Sequence, residues 1–163
     1  MAGTFAPSAS LRGLAWGLDG IVLIVATALL TIHHARRGDE VVAGGFLVFV
    51  VGEVLIVSTA AMELAAGAPI FGAGVGLWAA SLALISAFHT LPAVVRGVGF
   101  LGSLLFAIVA IRIFLGHGLT PLSEPLPFYA YPFLVVTLFG WAWVYTRPAT
   151  EAADTSSGRS GVQ

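Results

Sequence analysis

This chain has no cysteine and no lysine, and only 9% of its residues are charged. Without cysteine there are no disulfides, no thiol catalysis and no thiolate-held metal. All seven basic residues are arginine, and the net charge of -1 leaves no basic face of the kind nucleic acid requires. Catalytic signatures are missing too. The sequence contains no H-E-x-x-H, no G-x-S-x-G, no phosphate-binding glycine loop and no histidine-rich box. Gly72, Gly74 and Gly76 alternate, but no strand precedes them, so they are no dinucleotide fingerprint. Ser58, Ser81, Ser86 and Ser103 lack an adjacent base and read as packing and hydrogen-bonding residues.

What fills the chain instead is apolar. Hydrophobic residues make up 58% of it, and its mean hydropathy is +0.99. A soluble domain carries about 25% charged residues. This much apolar surface requires lipid as the solvent. Five runs hold nearly all of it: residues 11–32, 41–64, 71–88, 93–115 and 128–145. A bilayer core needs about 20 mainly apolar residues per spanning helix. The sequence therefore predicts an all-α polytopic integral membrane protein, a bundle of five transmembrane helices with short loops. Residues 1–10 form a short polar lead, 11–147 the membrane domain, and 148–163 a small, polar tail expected to be disordered. The first run is long for a leader peptide, contains Asp19 and lacks a small-residue cleavage site, so it reads as a span.

Local signals place the boundaries. Ser8 or Ser10 can cap the first helix, and Asp39 the second. Gly67 and Pro69 read as the stop after the second run. The short Thr90-Leu91-Pro92 link makes the third and fourth helices antiparallel neighbours. Pro132 falls near the start of the fifth helix, where a missing N–H is tolerated. Arg36, Arg37, Arg96, Arg147 and Arg159 fall at one end of the bundle, against Arg12 and Arg112 at the other. The positive-inside rule then predicts a cell-membrane protein with its N-terminus outside and C-terminus in the cytoplasm. Phe128, Tyr129 and Tyr131 at one end of the fifth run, and Trp141, Trp143 and Tyr145 at the other, read as headgroup-level belts. The outer Pro-rich stretch, residues 120–127, carries Glu124 as its one charge and has the composition of a surface-lying or docking segment.

Small residues at helical spacing predict where helices meet, because lipid gives no hydrophobic drive for association. The stripes are Gly13, Gly17, Gly20, Thr27 and Ala28; then Gly72, Gly76, Ala80, Ala83 and Ala87; then Gly99, Gly102, Phe106 and Ala110, with Ser103 beside them. The second stripe predicts a central third helix. Packing within the chain is favoured over a homodimer seam.

Four ionisable residues interrupt the runs: Asp19, Glu53, Glu63 and Arg112. A charge at a helix centre costs roughly 2.5–3.5 kcal/mol on the insertion scale, so such groups face the bundle and find partners. One reading is structural, with Arg112 paired to Asp19 or Glu63, and Thr59 bonded to Glu63. The other is a polar path in which Glu53 or Asp19 takes a proton, cation or polar solute, since a carboxyl removed from water favours its neutral form. Glu53, the costliest position, is the first choice for function.

His33, His34 and His89 share one predicted level on two helices, the arrangement of a bis-His haem or metal site. A solvated boundary role is the plainer reading, and no cofactor is expected. His117 stands between glycines and reads as a surface residue. The sequence thus points to a bacterial-type multi-pass membrane protein without enzymatic activity. Its role is an accessory or structural subunit of a larger membrane complex, or alternatively a small permease or proton-coupled transporter acting as a homo-oligomer. A haem electron carrier is the third reading. The bilayer is the one partner the composition itself names.

Overall fold

The computed structural model describes residues 8–117 and 125–146. It is all-helical over these residues: α1 (Ala9–Arg37), α2 (Glu40–Ser58), a single 3-10 turn (Thr59–Ala61), α3 (Leu64–Ala87), α4 (Ala93–Phe114) and α5 (Pro125–Thr146). The expectations for the first residues of the polar lead, for residues 120–124 of the Pro-rich stretch and for the 148–163 tail lie outside the described residues, as do Arg147 and Arg159.

Four helical segments are long and apolar enough to cross a membrane: Gly13–Arg37, Glu40–Ser58, Ala65–Ala87 and Ala93–Phe114. The fifth helix is not among them. A membrane bundle is supported by four helices, where the sequence predicts five.

Two boundaries differ from the sequence reading. The first helix does not stop at residue 32 but continues to Arg37, about 43 Å in all at 1.5 Å per residue. That exceeds the roughly 30 Å of a bilayer core. Gly38 ends it with φ +79, and the backbone closes a Schellman motif: Gly38 N–H donates to Ala35 O (3.2 Å) and Asp39 N–H to His34 O (3.0 Å). The second difference is larger. The break between α2 and α3 falls at residues 59–63, not at Gly67–Pro69, so α3 starts at Leu64 and carries Pro69 inside its second turn. Pro69 lies past the first turn, so it forgoes the bond that an N–H there would make to the Ala65 carbonyl, and the helix continues through it. Glu63 consequently leaves the helix and is exposed, and Thr59 donates to Ile56 O (2.7 Å) instead of to Glu63.

The helices pack in chain order, α1 on α2, α2 on α3, α3 on α4 and α4 on α5. α3 is the central element, flanked on both sides. Its Gly72 and Gly76 face Ile113 and Ala110 of α4, so that part of the stripe is spent inside the chain, while Ala80 and Ala87 are exposed. On α4, Gly99 lies against Ser86 of α3 and Gly102 against Leu82 of α3 and Phe133 of α5; Ser103 Oγ donates to Ala79 O (2.7 Å). The closest crossing is between α2 and α3 at Gly52 and Gly74, where a Cβ on either would stand under 3 Å from the other's carbonyl oxygen. On α1, Gly20 and Thr27 are buried, whereas Gly13 and Gly17 face open space.

The bundle closes through aromatic side chains. Phe46 and Phe49 of α2, Trp78 of α3, Phe106 of α4, and Tyr131 and Trp141 of α5 meet edge-on or stacked at centroid distances of 4.9 to 6.1 Å. Tyr131 therefore packs half-buried against the core, and Trp141 is a core residue. Trp143, two residues on and about 200° around the helix, stays exposed.

Arg96, at the start of α4, donates from Nε to Ser86 O (2.8 Å) and from Nη2 to Ala87 O (3.3 Å). It caps the last carbonyls of α3, a cation at the negative end of that helix.

Candidate functional site

Glu53 is 4% exposed. Because α2 ends at Ser58, it sits five residues, or about 8 Å, from that end and not at mid-helix. Its place at the seam of α1 and α2 depends on Gly20. An added Cβ there would collide with Val57 and press on Glu53 Oε1 at 3.1 Å, so the absence of a side chain lets both α2 residues sit against α1. Asp19, half-buried on α1 beside Gly20, is close enough for its charge to act on Glu53. From α3 the Trp78 indole also acts on the carboxylate, and from α5 the Tyr131 phenol senses it. The surroundings are the aromatic core.

Polar satisfaction there is incomplete. Glu53 Oε2 has no hydrogen-bond partner among the described residues, and the buried Trp78 Nε1 has none either. Buried polar groups are paired in the great majority of cases, and each exception calls for a reason. Trp78 lies beside Glu53 without closing a hydrogen bond to it.

The other predicted site residues disperse. Arg112 is half-buried in the last turn of α4, where its carbonyl accepts the His117 N–H (3.0 Å). Glu63 is exposed in the α2–α3 connection and needs no membrane partner. His89 is exposed just past α3, and His33 is exposed on α1.

His34 is the residue most misjudged from the sequence. It is not a solvated boundary residue but 3% exposed, with both ring nitrogens engaged. Nδ1 lies 3.1 Å from Asp39 Oδ2, and Nε2 lies 2.6 Å from the Tyr145 hydroxyl. The ring stacks on Phe46 at 5.5 Å and an interplanar angle of 16°. In this structure both of its ring nitrogens are engaged by other side chains. Asp39 occupies the N-cap position of α2 without capping by its side chain; the carboxylate turns to His34 instead. The Schellman turn at Gly38 sets this up by folding residue 39 back over the last turn of α1. Arg37 Nε stands 3.9 Å from the same carboxylate oxygen. Asp39 also lines an open pocket of about 310 Å³ with Gly38, Glu40, Val41, Val42, Phe88 and Thr90, between the α1–α2 and α3–α4 turns. Helical phase was the available signal for Tyr145. It lies one turn beyond Trp141, on the face of α5 that turns inward.

Among the described residues no group of three or more His, Asp or Glu side chains is placed to hold a metal ion. Comparison with family models, curated proteins and solved structures finds no match to this chain.

Proposed function

We propose that this chain is a non-enzymatic five-span membrane protein in which Glu53 takes up and releases a proton, as the coupling group of a small permease. The carrying observation is the buried Glu53 carboxylate with Oε2 unpartnered. A carboxylate retained for structure alone is expected to be fully hydrogen-bonded, because an unsatisfied buried polar group costs about 1–3 kcal/mol. In this reading α5 is the fifth span, since it packs along α4 and returns its Trp141 and Tyr145 to the bundle. The arginine-bearing end is cytoplasmic and the N-terminus outside. Glu53 then lies on the outer side of the α2 midpoint, five residues from the end of that helix. Asp19, whose charge acts on it, makes uptake at one carboxylate dependent on the state of the other.

The test is infrared difference spectroscopy of the protein in lipid through a pH titration, in wild type and Glu53→Gln. The expected result is a carboxyl band that appears and disappears reversibly and is missing from the variant, with helix content unchanged. Failure of any such band to respond while the protein stays folded would return Glu53 to a structural role.

A second reading, the accessory subunit, rests on Gly13 and Gly17, whose open faces suit close approach by another helix. A Gly13→Leu, Gly17→Leu variant would then change the mass of the native particle extracted in mild detergent; an unchanged mass counts against it.

A further inference from the structure

The hydrogen-bonded set at the arginine-bearing end is independent of Glu53. Asp39 is 14 residues before Glu53 on the same chain segment, about 20 Å along a helix. Three elements converge there: α1 supplies His34, the Schellman turn supplies Asp39, and α5 supplies Tyr145 from 111 residues away in sequence. We propose that His34, held between Asp39 and Tyr145, is a proton-accepting site that charges and discharges without releasing α5.

The argument is one of donors and acceptors. Next to the Asp39 carboxylate, an acceptor, Nδ1 of His34 carries the hydrogen. In the neutral imidazole Nε2 is then the acceptor, and the Tyr145 O–H donates to it. When a proton is taken up it ends on Nε2. The Tyr145 oxygen can gain a proton from water and pass its own hydrogen to Nε2, so the phenol is left whole and the ring becomes imidazolium. Nε2–H now donates to the phenol oxygen, and Nδ1–H still donates to Asp39. Both bonds survive, the one to Tyr145 reverses direction, and the phenol hydrogen turns away from the ring. The new positive charge faces the Asp39 carboxylate at 3.1 Å.

Tyr145 is half-buried, and Asp39 is about a third exposed and lines the open pocket, so both partners of the ring lie at the bundle's edge, while the imidazole itself is shielded. The charged and titratable groups around His34 are His33, at a ring-centroid distance of 5.2 Å, and Arg37 on α1, Asp39 in the turn, Glu40 at the start of α2, and Tyr145 on α5. Phe46, the α2 side chain stacked on the ring, is uncharged. The pocket and the histidine lie on the same bundle end, so protons are exchanged with that side alone.

Nitrogen NMR of histidine-labelled protein in lipid tests the inference directly. The chain has four histidines. Replacing the other three (His33→Phe, which keeps a ring beside His34 and Tyr145, His89→Gln and His117→Gln) isolates the His34 signal. The expected result is reversible conversion of His34 from one protonated ring nitrogen to two, with both nitrogens hydrogen-bonded in each form. Tyr145→Phe, which keeps the ring packing, is expected to shift the Nε2 resonance in both forms. Asp39→Asn is expected to remove the doubly protonated form over the range where the unsubstituted site shows it. The inference is overturned if His34 keeps one protonation state throughout the pH range in which the helices persist. It is equally overturned if Tyr145→Phe leaves the Nε2 signal unchanged, or if α5 detaches when His34 becomes charged, read as loss of the Nε2 hydrogen bond.

Discussion

Gly52→Ala tests the packing on which the Glu53 site depends. A Cβ at residue 52 would stand 2.9 Å from the Gly74 carbonyl oxygen, 3.0 Å from Trp78 Cδ1 and 3.1 Å from Leu77 Cβ. Comfortable contact begins near 3.5 Å, so α2 and α3 must part by about half an ångström. The obstacle includes backbone, which cannot rotate away as a side-chain tip can. Overpacking of this kind costs about 1–3 kcal/mol. That corresponds to roughly a 5- to 150-fold loss in the folding equilibrium. Gly74→Ala meets the reciprocal obstacle, Gly52 O at 2.8 Å, together with Ile56. One parting of the helices relieves both, so the double variant costs less than the sum of the two singles. Gly13→Ala and Gly17→Ala make the same backbone change with nothing within 4 Å of the new methyl. Glycine is the poorer helix former, so these two are expected to be neutral or stabilising by up to about 1 kcal/mol. The assay is reversible unfolding in mixed micelles, followed by far-UV circular dichroism and tryptophan fluorescence; Trp78 reports the crossing itself. The reasoning is refuted if Gly52→Ala matches Gly17→Ala to within about 0.5 kcal/mol, or if the Gly52→Ala and Gly74→Ala costs simply add.

Other consequences are separately measurable. Glu53→Met replaces an unsatisfied buried carboxyl by an apolar side chain of similar length and is expected to raise stability by about 1–3 kcal/mol in the same unfolding assay while abolishing any proton-linked activity. A loss of stability would mean that Glu53 has a partner. Arg96→Gln strips the α3 carbonyls of a cationic cap and is expected to cost about 0.3–1 kcal/mol, with faster amide exchange confined to the last turn of α3. Tyr145→Phe leaves the His34 Nε2 without its partner and is expected to cost about 1–3 kcal/mol; a variant as stable as the wild type would show that the bond ties nothing.

Composition and run length were enough to read the membrane class and the all-helical fold, because hydrophobicity over about 20 residues is a property of the chain itself. Boundaries were legible where a local motif makes them. Ser8 caps α1 as expected, accepting the Leu11 N–H at 3.3 Å. The α2–α3 break was misread because Gly67 and Pro69 are helix-ending residues that are also tolerated in a first or second turn, and sequence does not distinguish the two. Glu63 followed that error out of the second helix. The glycine stripes were legible as interfaces on α3 and α4, but Gly52 and Gly74, which form the tightest crossing, were not in them. Helix phase relative to a neighbour has no local signature.

The candidate site divides the same way. Sequence alone marks Glu53 as costly, since an ionisable residue amid apolar ones stands out without any knowledge of its neighbours. That it packs with Val57 against Gly20, and leaves one carboxylate oxygen unpartnered beside Trp78, depends on three helices at once. His34 is the sharper case. By itself it is an ordinary boundary histidine. Its burial, its stacking on Phe46 and its bond to Tyr145 arise only when α5 returns to α1, a contact spanning 111 residues that no pattern in the chain encodes. Solvent preference is additive along a sequence and can be read from it. Hydrogen-bond partnership depends on which faces are brought together, and only the packed bundle decides that.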